Sequence, residues 1–205
     1  MVKCSSVDLL SARILRLVAG LPGKIILVLV GGCSRAGKTG LVSKLAKKAA
    51  SGGVKTAAIN LDSWLVSLDK RKKISTVLER YEVDHAVSDI EKIMHGEAIH
   101  PPVYDVVSRS RITESGSEAI AIDAGVLFID GVIALAIDKL SEAAALRIFV
   151  NIPDDIRGQR LVKFYSDIKG FSRKDCEDII EAREKEEVPF IKSTSDNADV
   201  IFNWE

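Results

Sequence analysis

One octapeptide restricts the possible folds of this chain more than any other feature. Residues 32–39 read Gly-Cys-Ser-Arg-Ala-Gly-Lys-Thr, which matches the pattern GxxxxGK(S/T) at every fixed position. The match follows the continuously apolar run 25–30, which is typical of a buried parallel strand. It precedes a stretch in which Leu41, Leu45 and Ala49 recur at helical spacing. A glycine-rich turn between a strand and a helix indicates a phosphate-binding loop (P-loop) in an α/β fold.

The residue types of this loop account for its expected chemistry. Gly32 and Gly37 permit backbone conformations that a side chain would forbid, so that successive N–H groups can point at phosphate oxygens. Lys38 is expected to reach the β and γ phosphates, and the Thr39 hydroxyl to ligate Mg²⁺. We therefore predict that the loop binds ATP with Mg²⁺, although the sequence does not distinguish ATP from GTP. The predicted nucleotide-binding residues of the loop are Gly32, Ser34, Arg35, Ala36, Gly37, Lys38, Thr39 and Gly40.

Strand-like and helix-like segments alternate along the chain, which predicts an α/β fold with a mostly parallel sheet. The predicted strands are 25–30, 54–60, 126–129, 146–152 and 200–202, and the predicted helices are 6–19, one after the loop, 87–95, one from 154, and about 173–187. Two extended stretches, 103–107 and 119–122, flank a polar segment and suggest a hairpin. Ser172, three residues before Asp175, resembles the N-terminal cap of the last helix.

Composition excludes several classes of function. The 205 residues suit one domain of this kind with a small insert or lid, and the formal net charge of zero argues against a nucleic-acid partner. No apolar run reaches the length of a membrane span, and the N-terminus does not resemble a signal peptide. Three cysteines without motif spacing indicate reduced thiols rather than disulfides or a zinc site. We therefore expect a cytoplasmic protein with neither a membrane nor a nucleic-acid partner.

Two aspartates follow predicted strands and are candidates for chemistry at one edge of the sheet. Asp130 ends the apolar strand 126–129, and a carboxylate in this position of P-loop proteins helps to hold the Mg²⁺ shell. Asp62 follows the second predicted strand, where the carboxyl ends of parallel strands face a ligand crevice. A carboxylate there can accept the proton of an attacking hydroxyl. A helix cap or a solvated turn residue fits the position of Asp62 equally well.

Further short stretches follow the P-loop in a characteristic order. They are Asp62-Ser63-Trp64, Asp84-His85, Pro102-Val103-Tyr104-Asp105, Ser108 with Ser110-Arg111, Asp130-Gly131-Val132-Ile133-Ala134-Leu135 and Ala198-Asp199-Val200-Ile201. Across roughly residues 25–203 the chain resembles uridine/cytidine kinases, within the wider phosphoribulokinase–uridine kinase group. The resemblance implies a three-layer P-loop NTPase-type sandwich in a single domain, 1–205, with a hairpin insert at about 101–123 and a helical lid at about 154–174. It also suggests a homo-oligomer.

The activity implied by the resemblance is transfer of the γ-phosphate of ATP to a hydroxyl of a nucleoside such as uridine or cytidine. Asp62 would then be the catalytic base, and Asp84 would bind the ribose hydroxyls. Tyr104 would pack on or hydrogen-bond the base, with Arg111 nearby. Asp130 would stand where the family has a glutamate near Mg²⁺.

The resemblance also assigns roles to the lid. Its first helix would run from about 154 to 167 and carry Arg157, Arg160 and Lys163. These cations would close over the phosphates and stabilise charge during transfer. Arg157 and Arg160 are the stronger candidates, Arg157 for nucleotide binding and Arg160 for catalysis.

Several positions depart from the pattern of the family. Arg109 stands where pyrimidine nucleoside kinases place a histidine that reads the base. Phe171 and Ala182 stand near the expected positions of a lid arginine and a glutamine that contacts the nucleoside. Ala86 replaces the usual proline after Asp-His, and Gly40 replaces a common serine or threonine. We therefore expect phosphate handling to be retained and recognition of the base to be altered.

The identity of the phosphate acceptor stays open at this point. Arg109 is a candidate substrate-binding residue that could pair with an anionic substrate, because a guanidinium suits carboxylate or phosphate. One alternative to a nucleoside kinase is therefore a kinase of another small hydroxyl metabolite, such as a sugar, a sugar phosphate or a vitamin precursor. A regulatory nucleotide-binding protein with little transfer activity is the alternative from a different class.

Three features have plain structural explanations beside functional ones. Lys70-Arg71-Lys72-Lys73 is expected to form a solvated loop. Trp64 either walls an acceptor pocket or packs in the interior. Cys33 lies near a helix N-terminus, which could lower its pKa, but an ordinary loop residue is the favoured interpretation.

Overall fold

A six-stranded parallel sheet forms the centre of the computed structural model, which describes residues 2–72, 76–113, 118–170 and 172–204. The strands are β1 (Val2–Cys4), β2 (Ile25–Gly31), β3 (Thr56–Asn60), β4 (Val103–Asp105), β5 (Ser110–Thr113), β6 (Gly125–Asp130), β7 (Leu146–Asn151) and β8 (Val200–Asn203). The order in the sheet is β1-β8-β7-β2-β6-β3, and each neighbouring pair is parallel. β4 and β5 form a separate antiparallel hairpin.

Helices cover both faces of this sheet. They are α1 (Val7–Gly20), α2 (Lys38–Ser51), α3 (Val83–Met94), α4 (Asp138–Ala143), α5 (Asp154–Lys169), α6 (Arg173–Glu186) and α7 (Val188–Ser193). Short 3₁₀ turns lie at Leu61–Trp64, Leu68–Lys70, Leu78–Arg80 and Thr194–Asn197. The predicted three-layer α/β sandwich is confirmed. None of the described helices combines the length and the apolar character that crossing a membrane requires.

The central strand β2 explains the layering. Ile26 and Val28 point into one apolar cluster together with residues of α1 and α2, whereas Leu27 and Leu29 point into another with residues of α3 and α7. Both sets are buried, so the strand has to be apolar at every position. Full burial of each such side chain stabilises the fold by about 1.5–3 kcal/mol. The continuous apolar run therefore determines that β2 lies in the middle of the sheet.

The hairpin forms with a different second strand from the one predicted. β4 pairs with β5, so the prediction of 119–122 as its partner is wrong, and Ile120 instead pairs with Ile99. The carboxylate of Asp105 accepts hydrogen bonds from the amides two and three residues later, at 3.0 and 2.9 Å. Such a side-chain cap favours a tight turn, so the chain reverses immediately after β4.

Three further differences concern short or exposed segments. Helix α3 begins at Val83 rather than at 87; its first turn holds the exposed pair Asp84-His85, and the small side chain of Ala86, although buried, gives a weak apolar signal. Strand β1 was not predicted; two of its three residues are exposed at the edge of the sheet, where it pairs with β8. Helix α4 was not predicted either, and it buries only Leu140. Segments that bury few side chains leave little signal in the sequence.

Helix α5 spans most of the segment 154–174 that was predicted as a lid, and α6 begins at the end of that segment and packs against α5. Leu161, Tyr165 and Cys176 form a small apolar cluster of their own between them. The amide of Asp175 donates to the Ser172 hydroxyl at 3.2 Å, which confirms the predicted cap of α6. Phe171, which connects the two helices, lies outside the described residues.

Candidate active site

The P-loop joins β2 to α2 in a conformation that requires glycine at two positions. Gly32 and Gly37 have φ values of 135° and 96°, in the region that side chains disfavour. A Cβ at Gly32 would lie 2.5 Å from the carbonyl oxygen of Val150, and one at Gly37 would lie 2.7 Å from Nε1 of Trp204. The loop is thus a cradle of bare backbone at the N-terminus of a helix, which suits phosphate oxygens.

Lys38 lies across this cradle. Its Nζ donates hydrogen bonds of 2.9 Å to the carbonyl oxygens of Gly32 and Cys33. Burial lowers the pKa of the ammonium group, while the carboxylates of Asp62 and Asp130 act in the opposite direction. A cation held inside the loop beside two carboxylates is placed to meet a phosphate chain.

Asp130 links the loop to the neighbouring strands. Its Oδ2 accepts hydrogen bonds from the Thr39 hydroxyl at 2.7 Å and from Nδ2 of Asn60 at 3.1 Å. Burial raises the pKa of the Asp130 carboxyl, and the charge of Asp62 adds to this, whereas the hydrogen bond from Thr39 and the charge of Lys38 lower it. The two side chains expected near Mg²⁺ therefore touch, and both offer the oxygen ligands that this cation prefers.

A magnesium ion bound here would draw its remaining ligands from phosphates and water, as is usual for this cation. Within the described ranges, no three His, Cys, Asp or Glu side chains come together in a way that could hold a metal. The donor set of Thr39 and Asp130 beside a phosphate cradle thus fits a cation that arrives with a nucleotide.

Asp62 is held at the carboxyl end of β3 by two neighbours. Its amide donates a 2.7 Å hydrogen bond to Oδ1 of Asn60, so Asn60 rather than Asp62 caps the turn Leu61–Trp64. Its Oδ1 accepts a 3.2 Å hydrogen bond from the hydroxyl of Tyr81. Burial raises the pKa of the Tyr81 hydroxyl well above its usual value, and Asp62 adds to the shift, so Tyr81 remains a donor. The Asp62 carboxylate is thus oriented without being used as a helix cap.

Two clefts meet at Asp62. The first, here called the loop cleft, contains the loop residues together with Arg160 and Lys163 of α5. The second, here called the hairpin cleft, has a volume of about 190 Å³ and lies between the β4–β5 hairpin and α6. The residues that line both clefts are Ser34, Arg35, Asp62, Val132 and Phe164. A carboxylate in this shared wall faces both spaces at once.

Most of the predicted nucleotide-binding residues line the loop cleft. Those that do are Ser34, Arg35, Gly37, Lys38, Thr39 and Gly40. Gly32 and Ala36 do not line it; Ala36 is buried, and Gly32 packs closely on the backbone of Val150. These two residues support the shape of the loop.

The predicted lid cations are placed differently from one another. Arg160 lines the loop cleft, where its Nη1 lies 3.4 Å from the carbonyl oxygen of Arg35, and Lys163 lines it as well. Arg157 is buried, forms an ion pair with Glu184 and lies 3.6 Å from the carboxylate of Asp154. It therefore ties α5 to α6, and Lys163 rather than Arg157 accompanies Arg160 at the cleft.

The four residues predicted to bind the acceptor beside Asp62 separate into two groups. Tyr104 and Arg109 line the hairpin cleft. Asp84 is exposed in the first turn of α3 and does not line it. Arg111 is turned toward Glu82, at 2.8 Å, so it fastens the hairpin to the start of α3.

Several residues of the hairpin cleft were not predicted from the sequence. Arg71 was expected in a solvated loop, and that expectation is wrong, since its guanidinium donates to the hydroxyl of Tyr104 at 3.0 Å. Of the other residues in that charge run, Lys70 and Lys72 are exposed, and Lys73 lies outside the described residues. Arg80, Tyr81 and Arg183 also line the cleft and belong to no motif. Asn60, which lines the loop cleft, was missed as well, although as a polar residue at the end of a predicted strand next to Asp62 it had a usable signal.

Two open alternatives are resolved by burial. Trp64 is fully buried, donates to Asp89 at 3.3 Å and belongs to the apolar core, so it packs in the interior and lines neither described cleft. Cys33 is also buried, and burial raises the pKa of its thiol rather than lowering it. The ordinary structural interpretation therefore holds for both residues.

Comparison with known proteins agrees with this geometry. Residues 27–204 match the model of the phosphoribulokinase/uridine kinase family. This chain belongs to that family. A uridine kinase from Leuconostoc citreum (strain KM20) is 27% identical over 153 residues, which cover 72% of this chain and 71% of that protein. Matches to uridine kinases of Lactococcus lactis span 83 residues, or 39% of those proteins.

Solved structures show the same fold. A putative fructose transport system kinase from Silicibacter sp. TM1040 superimposes with a TM-score of 0.78 at 18% identity, covering 96% of this chain and 98% of that one. A possible uridine kinase from Bacillus stearothermophilus gives 0.64 at 18% identity, with 96% of both chains covered. The match to the family model confirms the resemblance drawn from the motifs, and as a member of this family the protein is a small-molecule kinase.

Proposed function

We propose that this kinase transfers the γ-phosphate of Mg·ATP to a hydroxyl of a small metabolite, with Asp62 as the general base. The observation that carries the proposal is the position of Asp62 in the wall shared by the loop cleft and the hairpin cleft. A base in phosphoryl transfer has to reach the hydroxyl of one substrate beside the phosphate of the other. Asp62 is the carboxylate that borders both spaces among the residues described.

On the nucleotide side, the bare backbone of the P-loop and Lys38 would hold the phosphate chain. Thr39 and Asp130 would hold Mg²⁺, which supplies charge neutralisation when it is bound with ATP. Arg160 and Lys163 face the same cleft and would stabilise the charge of the transferring group. These roles are shared among α2, β6 and α5, so they depend on the folded arrangement.

On the acceptor side, Asp62 would take the proton of the hydroxyl as that oxygen bonds to phosphorus and the bond from phosphorus to the ADP oxygen breaks. Tyr81 and Asn60 hold the carboxylate and its backbone in place through hydrogen bonds of 3.2 and 2.7 Å. A base fixed in this way loses little orientational freedom in the reaction, which favours transfer.

Placement favours an acceptor other than a nucleoside. Asp84, the residue expected to bind ribose hydroxyls, is exposed and outside the hairpin cleft, while Arg109 is inside it in place of the base-reading histidine. A nucleoside such as uridine remains the second candidate, because Tyr104 lines the cleft and could contact a base.

The test is ADP release from Mg·ATP with a panel of hydroxyl metabolites that includes uridine and cytidine. Wild type is compared with Asp62→Asn and with Asp138→Asn, whose exposed carboxylate on α4 provides a matched control. Acceptor-dependent turnover that is lost only in Asp62→Asn supports the proposal. Turnover that survives in Asp62→Asn would show that another group is the base. Nucleotide binding without stimulation by any acceptor would favour a regulatory protein.

A further inference from the structure

The hairpin cleft has an unusual excess of guanidinium groups. Its lining includes two carboxylates, Asp62 and Glu187, together with the arginines Arg35, Arg71, Arg80, Arg109 and Arg183. The chain as a whole has a formal net charge of zero, so this excess is local. Charge of one sign concentrated in a cleft raises the local concentration of ligands of the opposite sign.

The carboxylates of the cleft are already engaged. Arg80 forms ion pairs with Glu187 and with Glu186, the latter at 3.0 Å, and Arg183 lies 3.9 Å from Glu187. Asp62 is held by the hydroxyl of Tyr81. Glu187 therefore neutralises Arg80 rather than the guanidinium groups on the hairpin side, and Asp62 forms no ion pair with them among the described residues.

Arg71 and Arg109 are the two arginines on that hairpin side. Neither has a carboxylate within 4.0 Å among the residues that the structure describes. Arg71 is held in place by neutral groups, since it donates to the carbonyl oxygen of Val66 at 2.8 Å and to the hydroxyl of Tyr104 at 3.0 Å. Tyr104 thus holds the Arg71 guanidinium at the cleft that Arg109 also lines.

The backbone at Arg109 is held in a conformation that non-glycine residues rarely adopt. Its φ is 59°, in the left-handed region, where the Cβ of an ordinary residue crowds the following carbonyl oxygen. The carbonyl oxygen of Arg109 accepts a 2.9 Å hydrogen bond from the amide of Leu68, and the Ser67 hydroxyl accepts one of 2.8 Å from the amide of Arg111. Ser67 and Leu68 therefore fasten the hairpin at Arg109 and at the residue two positions later. Strain of this kind collects at functional sites, where it aims a side chain.

The charges around Arg109 also favour a ligand at this position. Burial lowers the pKa of its guanidinium, and the charges of Arg183 and Arg71 lower it further. These groups therefore repel one another in a half-buried space, which destabilises the protein without a counter-charge. An anion between them would offset both the repulsion and the loss of solvation.

We propose that the acceptor carries an anionic group, a phosphate or a carboxylate, which Arg109 and Arg71 bind while its hydroxyl faces Asp62. This inference rests on the proposed function and specifies the acceptor class. Planar guanidinium groups bind such oxygens through paired hydrogen bonds, so they would fix the orientation of the acceptor as well as attract it.

The first arm of the test compares turnover of matched acceptors, one neutral and one anionic: ribose with ribose 5-phosphate, and glycerol with glycerate. The anionic member of a pair is expected to have a kcat/KM about 100-fold higher, because it can pair with two half-buried guanidinium groups and the neutral member cannot. Arg109→Gln should remove most of this preference, Arg109→Lys should retain part of it, and Arg16→Gln on the exposed face of α1 should not alter it. The two pairs separate a phosphate from a carboxylate as the recognised group.

The second arm measures binding without turnover. Inorganic phosphate is titrated calorimetrically into protein saturated with Mg²⁺ and a non-hydrolysable ATP analogue, so that the P-loop is occupied. Affinity that falls about tenfold or more in Arg109→Gln but not in Arg16→Gln supports the anion site.

Equal turnover of neutral and anionic acceptors, or phosphate binding that is indifferent to Arg109, would overturn the inference. Arg109-dependent phosphate binding in a protein that phosphorylates no acceptor would instead overturn the kinase proposal while leaving the anion site. The two failures are thus distinguishable.

Discussion

The hydroxyl of Thr39 donates a 2.7 Å hydrogen bond to the carboxylate of Asp130, although the two residues lie 91 positions apart in the chain. Their contact exists because β2 and β6 are adjacent parallel strands that end at the same edge of the sheet. Asn60 joins them from β3, the next strand. Adjacent strand ends therefore assemble the expected Mg²⁺ site from three separate segments of sequence.

Replacing Asp130 by Asn should increase the stability of the protein while reducing its activity. The pKa of this carboxyl is raised by burial, so the native state binds the proton more tightly than the unfolded state does. The stabilisation from the protonated Asp130 carboxyl is therefore lost as pH rises through the folded pKa, and at neutral pH the ionised carboxylate lowers the free energy of unfolding. Asp130→Asn should raise the free energy of unfolding without nucleotide by up to about 1 kcal/mol.

The same variant should lose most of its Mg·ATP-dependent turnover, because an amide is a weaker magnesium ligand than a carboxylate. Urea denaturation with and without Mg·ATP, together with ADP release, measures both effects. A variant that is less stable and fully active would contradict this account of Asp130.

Tyr81→Phe should lower kcat through Asp62. The substitution removes the 3.2 Å hydrogen bond to the carboxylate, which we expect to reduce kcat about three- to tenfold with little change in the KM for ATP. A double-mutant cycle with Asp62→Asn is the control. If Tyr81 acts by positioning Asp62, the Tyr81→Phe substitution should change the residual kcat of Asp62→Asn very little. Equal effects in both backgrounds would show that Tyr81 acts on something else.

Gly37→Ala should disable the P-loop without unfolding the protein. The new Cβ would meet Nε1 of Trp204 at 2.7 Å, and alanine would be strained at a φ of 96°. Alanine would introduce about 1–2 kcal/mol of strain, which the loop would release by leaving the conformation that binds phosphate. We therefore expect ATP affinity, measured by calorimetry, to fall about tenfold or more. Gly158→Ala on α5 is the matched control, because its Cβ would meet nothing within 4 Å. Unchanged ATP binding by Gly37→Ala would refute the cradle geometry.

The ion pair between Arg147 and Asp199 should make the protein less stable at acidic pH than at neutral pH. Burial alone would raise the pKa of the Asp199 carboxyl, but hydrogen bonds from Arg147, at 2.8 Å from both its amide and Nη2, outweigh it and lower the pKa below 3.8. The stabilisation is complete above the unfolded pKa near 3.8 and is lost as pH falls through the folded pKa. Because both side chains are about a third exposed, we expect Asp199→Asn to cost about 1 kcal/mol at pH 7.

Urea denaturation at pH 7 and pH 3 checks this expectation. The difference between wild type and Asp199→Asn should shrink at the lower pH. Asp123→Asn is the control, because its carboxylate pairs with Lys55 in full exposure and should leave stability unchanged within error. If the difference in free energy of unfolding grew on acidification, the pKa of Asp199 would not be lowered in the folded state.

Much of the nucleotide side of the site could be predicted from the sequence. The P-loop is contiguous, and Asp62 and Asp130 each follow an apolar strand, so local pattern and the rule that parallel strands end at one edge bring them together. The hairpin cleft could not be predicted in this way. Arg71 looked like part of a solvated charge run, and only its hydrogen bond to Tyr104 shows that it turns inward.

Local sequence alone therefore determined the α/β class, the P-loop and the positions of the main strands along the chain, since burial of apolar residues on both faces of a strand such as β2 leaves a continuous apolar run. The order of the strands in the sheet did not follow from it. Tertiary structure decided which side chains share the hairpin cleft. Tyr81 follows a 3₁₀ turn and Arg183 lies on α6, and neither has a neighbour in sequence that indicates its role. Arg109, in the hairpin, could be named as a candidate, but its partners in the cleft could not. Their position depends on how those elements pack, and packing is a property of contacts between distant residues that no short stretch of sequence encodes.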